Sequence, residues 1–302
     1  MIMNPFLTKL NLPEDARAVV IHADDIGMGY STVAGFPDLL DAGALSAAAV
    51  MVPCPWFPGA AAMLRELRDH PRLDIGVHLT LNSEWDSYRW GPVSTRDRAS
   101  GLIDSEGYFH RLEVHVWSHV DVAAVENELR AQIDAALAAG VDVTHIDSHM
   151  GTLFHPRLLG VYLKLASEYQ LPPFLLRPNA EHIQSANLAP EDERELTRIL
   201  AESEAWGLPF FDHFHVMDLS RTAGGLDEAR AVLSALPPGS MTYLILHPAV
   251  DAPDLRAFAP DWRARVDDYR LLTDPAFGDL LRELDITPIG MRVLRDALRR
   301  TA

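Results

Sequence analysis

The segment His22-Ala23-Asp24-Asp25 sets two adjacent carboxylates at the end of an apolar run, Val19-Val20-Ile21. Carboxylates taken from water side by side repel each other, so such a pair needs a reason. Other reactive groups recur in similar positions. His78 lies in "GVHLTL", His145, Asp147 and His149 in "VDVTHIDSH", Arg177 ends "FLLR", and His247 ends "TYLILH". Period-two alternation puts Gly76, His78 and Thr80 on one strand face. The same rule groups His145, Asp147 and His149, and likewise Tyr243, Ile245 and His247. Singly, each has a plainer explanation. Asp-Asp suits a turn, a strand histidine can be a hydrogen-bonded core residue, and Arg177 can form a structural ion pair. Together they converge on the C-terminal ends of several strands. A divalent cation accounts for that convergence, because it stabilises a carboxylate and neutral imidazoles that are otherwise costly to bury. One carboxylate and two histidines with open positions form a catalytic coordination pattern. Such an ion polarises a carbonyl and acidifies water, and a second aspartate can take the water's proton.

The elements that position these groups alternate along the chain. Strand candidates fall at 17–23, 45–52, 73–81, 141–147, 173–178, 209–214, 241–247 and, weakly, 285–290. Between them lie helical patterns. The clearest spans 121–139, with Val122, Val125, Leu129, Ile133 and Leu137 on one stripe and Gly140 as a stop. Another follows Pro156. Repeated strand–helix units imply parallel strands with right-handed crossovers. Seven or eight such units predict an α/β, TIM-barrel-like fold with functional groups at the strand C-termini. The irregular stretch 82–118 reads as a lid or binding loop. At 302 residues, one catalytic barrel domain over 1–302 with that one elaborated loop is the economical reading.

Composition narrows the function. The chain is 48% hydrophobic and 23% charged, with 26 basic against 43 acidic residues and a net charge of −17. Such acidity argues against nucleic acid and against an anionic membrane surface. The start of the chain shows no signal-peptide pattern, and no apolar run suits a membrane span. Cys54 is the only cysteine, which fits a buried small hydrophobe in a reducing, cytoplasmic protein.

The motifs "HADDIG", "GVHLTL" and "THIDSH", followed by "LRP" and "LILHP", resemble in that order the YdjC-like carbohydrate deacetylase family. That family removes N-acetyl groups from amino sugars such as chitooligosaccharides. The resemblance implies a distorted (β/α) barrel, one divalent metal ion (magnesium or zinc) and a small carbohydrate substrate. By position it implies Asp25 and His78 as metal ligands. The third comes from "HIDSH": His149, with His145 in reserve or on the substrate side. Asp24 matches the general base, Arg177 the arginine that orients it, and His247 the general acid. The chain departs from the family pattern after His149, where Met150 and Gly151 follow. The next histidine, His155, precedes Pro156 and suits a helix cap. Trp85, in "EWDSYRWGP", suits stacking on a sugar or anchoring of the loop, and His213 and His215 share a late strand face. Two rival readings stand beside deacetylation. One is a metal-dependent hydrolase of a phosphoester or another amide, although phosphate chemistry wants more cationic groups. The other is a barrel that binds sugar without turnover. A homo-oligomer is compatible with the helical pattern, which shows no distinct interface stripe.

Overall fold

The computed structural model describes residues 3–177 and 189–301. Among these, seven strands form one parallel sheet: β1 (Arg17–Ile26), β2 (Ala47–Val50), β3 (Ile75–Leu79), β4 (Val143–Ser148), β5 (His213–Val216), β6 (Ser240–Leu246) and β7 (Ile286–Pro288). The order is β4-β3-β2-β1-β6-β5, with β7 beside β1. Residues 172–177 then link the two ends. Ile146 N donates to Pro172 O, and Phe174 N donates to Ile146 O at 3.0 Å. Phe211 N donates to Leu175 O, and Arg177 N donates to Phe211 O at 2.8 Å. The expected strand at 173–178 is therefore a pair of bridges, Ile146–Pro173 and Leu176–Phe211, that ties β4 toward the β5 side; Pro178 lies outside the described residues.

The distortion has a local origin. β1 pairs with β7 over Arg17–Val19, but with β2 only from His22 onward. Two short strands thus share one edge of β1 while β6 follows the other edge from Arg17 to Ala23. Alternate residues divide the core. Val19, Ile21 and Ala23 pack toward the helices, whereas Val20 clusters with Met241, Tyr243 and Ile245 inside the sheet. Phe6 and Leu7, from the helix Pro5–Lys9, join that inner cluster.

The helix expected at 121–139 spans Val122–Ala138, with Asp121 accepting the Ala124 N–H at 2.9 Å and Gly140 turning at φ 84°. Leu137 is 44% exposed, so the buried stripe ends at Ala136 instead. This helix also fastens the long loop. The buried carboxylate of Glu128 accepts the backbone N–H groups of Val93 and Ser94. Inside the loop, Arg89 donates to Ser83, Asp104, Glu106 and the Phe109 carbonyl. Region 82–118 is a strapped wall rather than a free flap. No helix among the described residues is long and apolar enough to cross a membrane.

Candidate metal and catalytic site

The two carboxylates reach one place because β1 carries an irregularity there. Its register with β2 slips between Ala23 and Ile26, and Asp25 takes a left-handed backbone at φ 64°. A regular strand would send neighbours to opposite faces. Aspartate tolerates the left-handed region better than most residues. Asp24 and Asp25 consequently line the same cavity, of about 490 Å³, together with His78 from β3 and His149, the first residue beyond β4.

Three atoms converge. Asp25 Oδ1 lies 3.5 Å from His78 Nε2 and 3.3 Å from His149 Nδ1, and the two nitrogens are 3.3 Å apart. Donors on a tetrahedron with bonds of about 2.0–2.1 Å stand about 3.3–3.4 Å apart. The remaining atoms of each group are already engaged. His78 Nδ1 donates to Asp147 at 2.7 Å, His149 Nε2 donates to Glu84 at 3.1 Å, and Asp25 Oδ2 accepts from Arg265 at 2.7 Å. Both imidazoles therefore turn a free lone pair inward, toward a buried carboxylate oxygen that has no hydrogen-bond partner. Three inward lone pairs repel unless a cation sits among them, so the donor set fits a divalent ion. A carboxylate stands behind each inward-facing histidine, and in metal sites such a partner fixes ring orientation and raises ligand basicity.

The electrostatics agree. Burial opposes charge on His78, but the Asp147 and Asp24 carboxylates outweigh it and push its pKa up to about 9. Burial is likewise outweighed at His149, where Glu84 and Asp25 raise the value to about 10. At Asp25, burial favours the neutral acid, yet Arg265 and His149 hold the carboxyl well below the usual range. Asp24 is also lowered: burial again opposes, and His78 and His22 prevail. Without an ion, protons on the two imidazoles supply the positive charge beside these carboxylates.

Beside this triad, Asp24 Oδ2 faces His247 Nε2 at 3.9 Å. His247 is pushed down, chiefly by burial, and its Nδ1 has no hydrogen-bond partner. A carboxylate and an imidazole thus stand together in the cavity lining. The opposite wall is apolar, with Phe154, Phe174, Leu176, Phe214, Val216 and Leu219.

The structure brings Asp24, Asp25, His78, His149 and His247 together, and it separates two expected residues from them. Arg177 pairs with Asp212 at 2.9 Å and with Glu204, while the partners of Asp24 are His22, His78 and His247. The arginine beside a site carboxylate is Arg265. His145 is fully buried and does not line the cavity, so it neither meets substrate nor joins the inward triad. It shares the face of His149 but sits four residues earlier, about 13 Å lower at about 3.3 Å per residue along an extended strand. Trp85 lines the cavity, yet it is only 9% exposed and packs against Phe258, Trp90 and the Arg265 guanidinium. A ring so covered serves as wall rather than stacking platform. His155 caps its helix by accepting the Arg157 N–H, and His215 pairs with Glu228. Neither His213 nor His215 lines the cavity.

Sequence reasoning missed His22, Glu84, Arg265 and the role of Asp147. His22 stands two residues before Asp24 on a strand, which was a usable signal. Arg265 gave none, since it meets Asp25 across 240 positions.

Comparison with known proteins adds an independent line. The family model described as YdjC-like protein matches residues 18–283. A carbohydrate deacetylase of Thermus thermophilus is 33% identical over 282 residues, covering 93% of this chain and 95% of that one. A protein of the same name from Thermoanaerobacter pseudethanolicus is 24% identical over 279 residues, covering 92% and 100%. Among solved structures, one from Enterococcus faecalis, provisionally described as a cellobiose-phosphate cleavage protein, superposes with a TM-score of 0.74. It is 23% identical and covers 92% of this chain and 99% of that one, a likeness of fold.

Proposed function

The chain belongs to the YdjC-like family, and from that premise we propose that it is a metal-dependent hydrolase removing an N-acetyl group from an amino sugar or glycoconjugate. The observation that carries this reading is the inward triad of Asp25 Oδ1, His78 Nε2 and His149 Nδ1 beside a facing Asp24–His247 pair. A divalent ion held by that triad supplies Lewis acidity, polarising the amide carbonyl and lowering the pKa of water. Two imidazoles among three donors favour zinc over magnesium, which prefers oxygen ligands.

This chain's residues do the rest. Asp24, held ionised, accepts a proton from the water that attacks the acetyl carbon. His22 Nδ1, at 2.7 Å, fixes the carboxylate from behind. His247, neutral through burial, takes that proton from Asp24 and passes it to the departing nitrogen. The carbon–nitrogen bond breaks, a carbon–oxygen bond forms, and acetate and a free amino sugar leave. Arg265 holds Asp25 in place by its contact with Oδ2.

Phosphoester hydrolysis is less well supported. Arg265 is the one arginine or lysine among the described cavity-lining residues, and it is committed to Asp25 and Asp261. The single, buried cysteine supports a cytoplasmic location. The test is acetate release from a panel of N-acetylated sugars by metal-stripped protein, with zinc, magnesium, manganese or cobalt restored separately. Metal-dependent acetate supports the reading. Sugar binding with no acetate from any substrate would overturn it in favour of a silent barrel, and phosphate release from sugar phosphates assayed alongside would favour the rival hydrolase.

A further inference from the structure

Behind the base lies a second set of polar groups that the reaction above does not use. His22 Nε2 is 2.9 Å from His145 Nε2, and His145 Nδ1 is 2.9 Å from Thr144 Oγ1. Thr144 Oγ1 in turn bonds Asp74 Oδ1. The other Asp74 oxygen accepts the Arg292 N–H at 2.7 Å, at the start of the C-terminal helix Met291–Thr301. His22, Thr144 and His145 are wholly buried, and Asp74 is nearly so. The barrel reserves space for this chain. A Cβ on Gly76 would lie 2.6 Å from the His145 ring.

We propose that Asp74, just before β3 and at the far end of the barrel from the cavity, is a positioning residue for Asp24, acting through Thr144, His145 and His22. The inference rests on the reading of Asp24 as the base. It follows from counting protons along the chain. An ionised Asp24 can only accept, so His22 Nδ1 carries a proton. The facing Nε2 atoms of His22 and His145 share a single proton between them. The Thr144 hydroxyl also has only one proton to donate, and with any imidazolium placed on His22, which stands between the Asp24 and Asp147 carboxylates at 2.7 and 3.7 Å, this leaves two consistent fillings. With Asp74 ionised, Thr144 donates to Asp74, His145 donates to Thr144, and His22 donates at both ends as an imidazolium. With Asp74 protonated, every bond on its side reverses: Asp74 donates to Thr144, Thr144 to His145, and His145 to a neutral His22. Both fillings contain four protons. The ionisation of Asp74 therefore fixes the charge of the imidazole that holds Asp24, although the two carboxylates share no contact. Networks of this kind transmit polarisation strongly in a low-dielectric interior.

Thr144→Val tests this most cleanly, because it removes the hydroxyl link while keeping a β-branched residue in β4. Thr144→Ser restores the link. In zinc-loaded protein, the side-chain nitrogen NMR shifts of His22 and His145 should move in Thr144→Val and in Asp74→Asn and return in Thr144→Ser. In the same variants kcat should fall about ten-fold or more with KM little changed, as expected for a misplaced catalytic group. Unmoved His22 nitrogen shifts in Thr144→Val, or an unchanged kcat, would overturn the proposal. So would a loss of kcat that Thr144→Ser fails to recover, because that marks packing rather than a relay. If wild-type protein releases no acetate, the base assignment falls, while the nitrogen shifts still decide whether Asp74 reaches His22.

Discussion

Arg265 Nη1 donates to Asp25 Oδ2 at 2.7 Å and leaves Asp25 Oδ1 bare toward His78 and His149. One carboxylate thus has a structural side held by the guanidinium and an open side facing two imidazoles, both buried. Replacing Arg265 by Met would strip the charge from the structural side alone. Losing one partner of a buried ion pair costs about 3–5 kcal/mol. We expect Arg265→Met to lower the stability of the metal-free protein by that order. We also expect weaker zinc binding, since Asp25 becomes free to reorient. Denaturant unfolding and zinc calorimetry on the same sample check both effects. Unchanged stability would mean that water replaces the guanidinium without penalty.

Asp24 and His247 have a different signature. Neither belongs to the inward triad, so Asp24→Asn and His247→Gln should bind zinc nearly as well as the parent. General acid–base groups contribute about 10²–10⁴-fold to rate, and each variant should lose activity within that range. Steady-state acetate release beside zinc calorimetry separates the two functions. A variant that lost zinc and turnover together would place its residue among the ligands.

Ion binding should release protons. His78 and His149 have pKa values raised to about 9 and about 10, so both are protonated at pH 7 in the metal-free protein. Each must lose its inward proton to coordinate, and metal binding couples to pH in this way. Zinc titrations at pH 7 in buffers of different ionisation enthalpy should show about two protons leaving per ion. At pH 10 and above the number should fall toward zero. Release of no protons at pH 7 would contradict the assigned ligand atoms.

The same shifts set the pH dependence of folding. The folded-state values of both histidines exceed the unfolded value of 6.5. Their contribution to stability is therefore fully present below pH 6.5 and is lost as pH rises through about 9 and about 10. Metal-free protein should show a Tm that declines between pH 6.5 and 10, and saturating zinc should flatten that decline. Thermal unfolding with and without chelator reads this directly, and a flat metal-free profile would count against it.

Glu84 offers a test of the carboxylate behind His149. Partners of metal-bound histidines typically contribute about 10–100-fold to affinity. Glu84→Gln should weaken zinc within that range while leaving the fold intact, because its side chain is 18% exposed. Zinc competition against a chromophoric chelator measures the change.

Much of this was legible from local pattern. Strand periodicity placed His78 and His247 on inward faces, and the "HADD" doublet marked β1. Periodicity does not encode height along a strand. His145 and His149 share a face, yet one is sealed beneath His22 and the other opens on the cavity. Nor does it encode pairing across the chain. Arg177 ends an inward-running segment, as a base-orienting arginine should, but Asp212 and Glu204 claim it. Arg265, on the helix Trp262–Thr273, reaches the site from a sequence with no motif of its own.

The extra residue in β1 also sets how tolerant the chain is of insertions and deletions. Removing one residue between Ala23 and Ile26 would restore regular pairing with β2 and rotate one carboxylate into the helical layer. The residue count at that end of β1 therefore sets where both carboxylates point. Any redesign must keep four residues from Ala23 to Ile26.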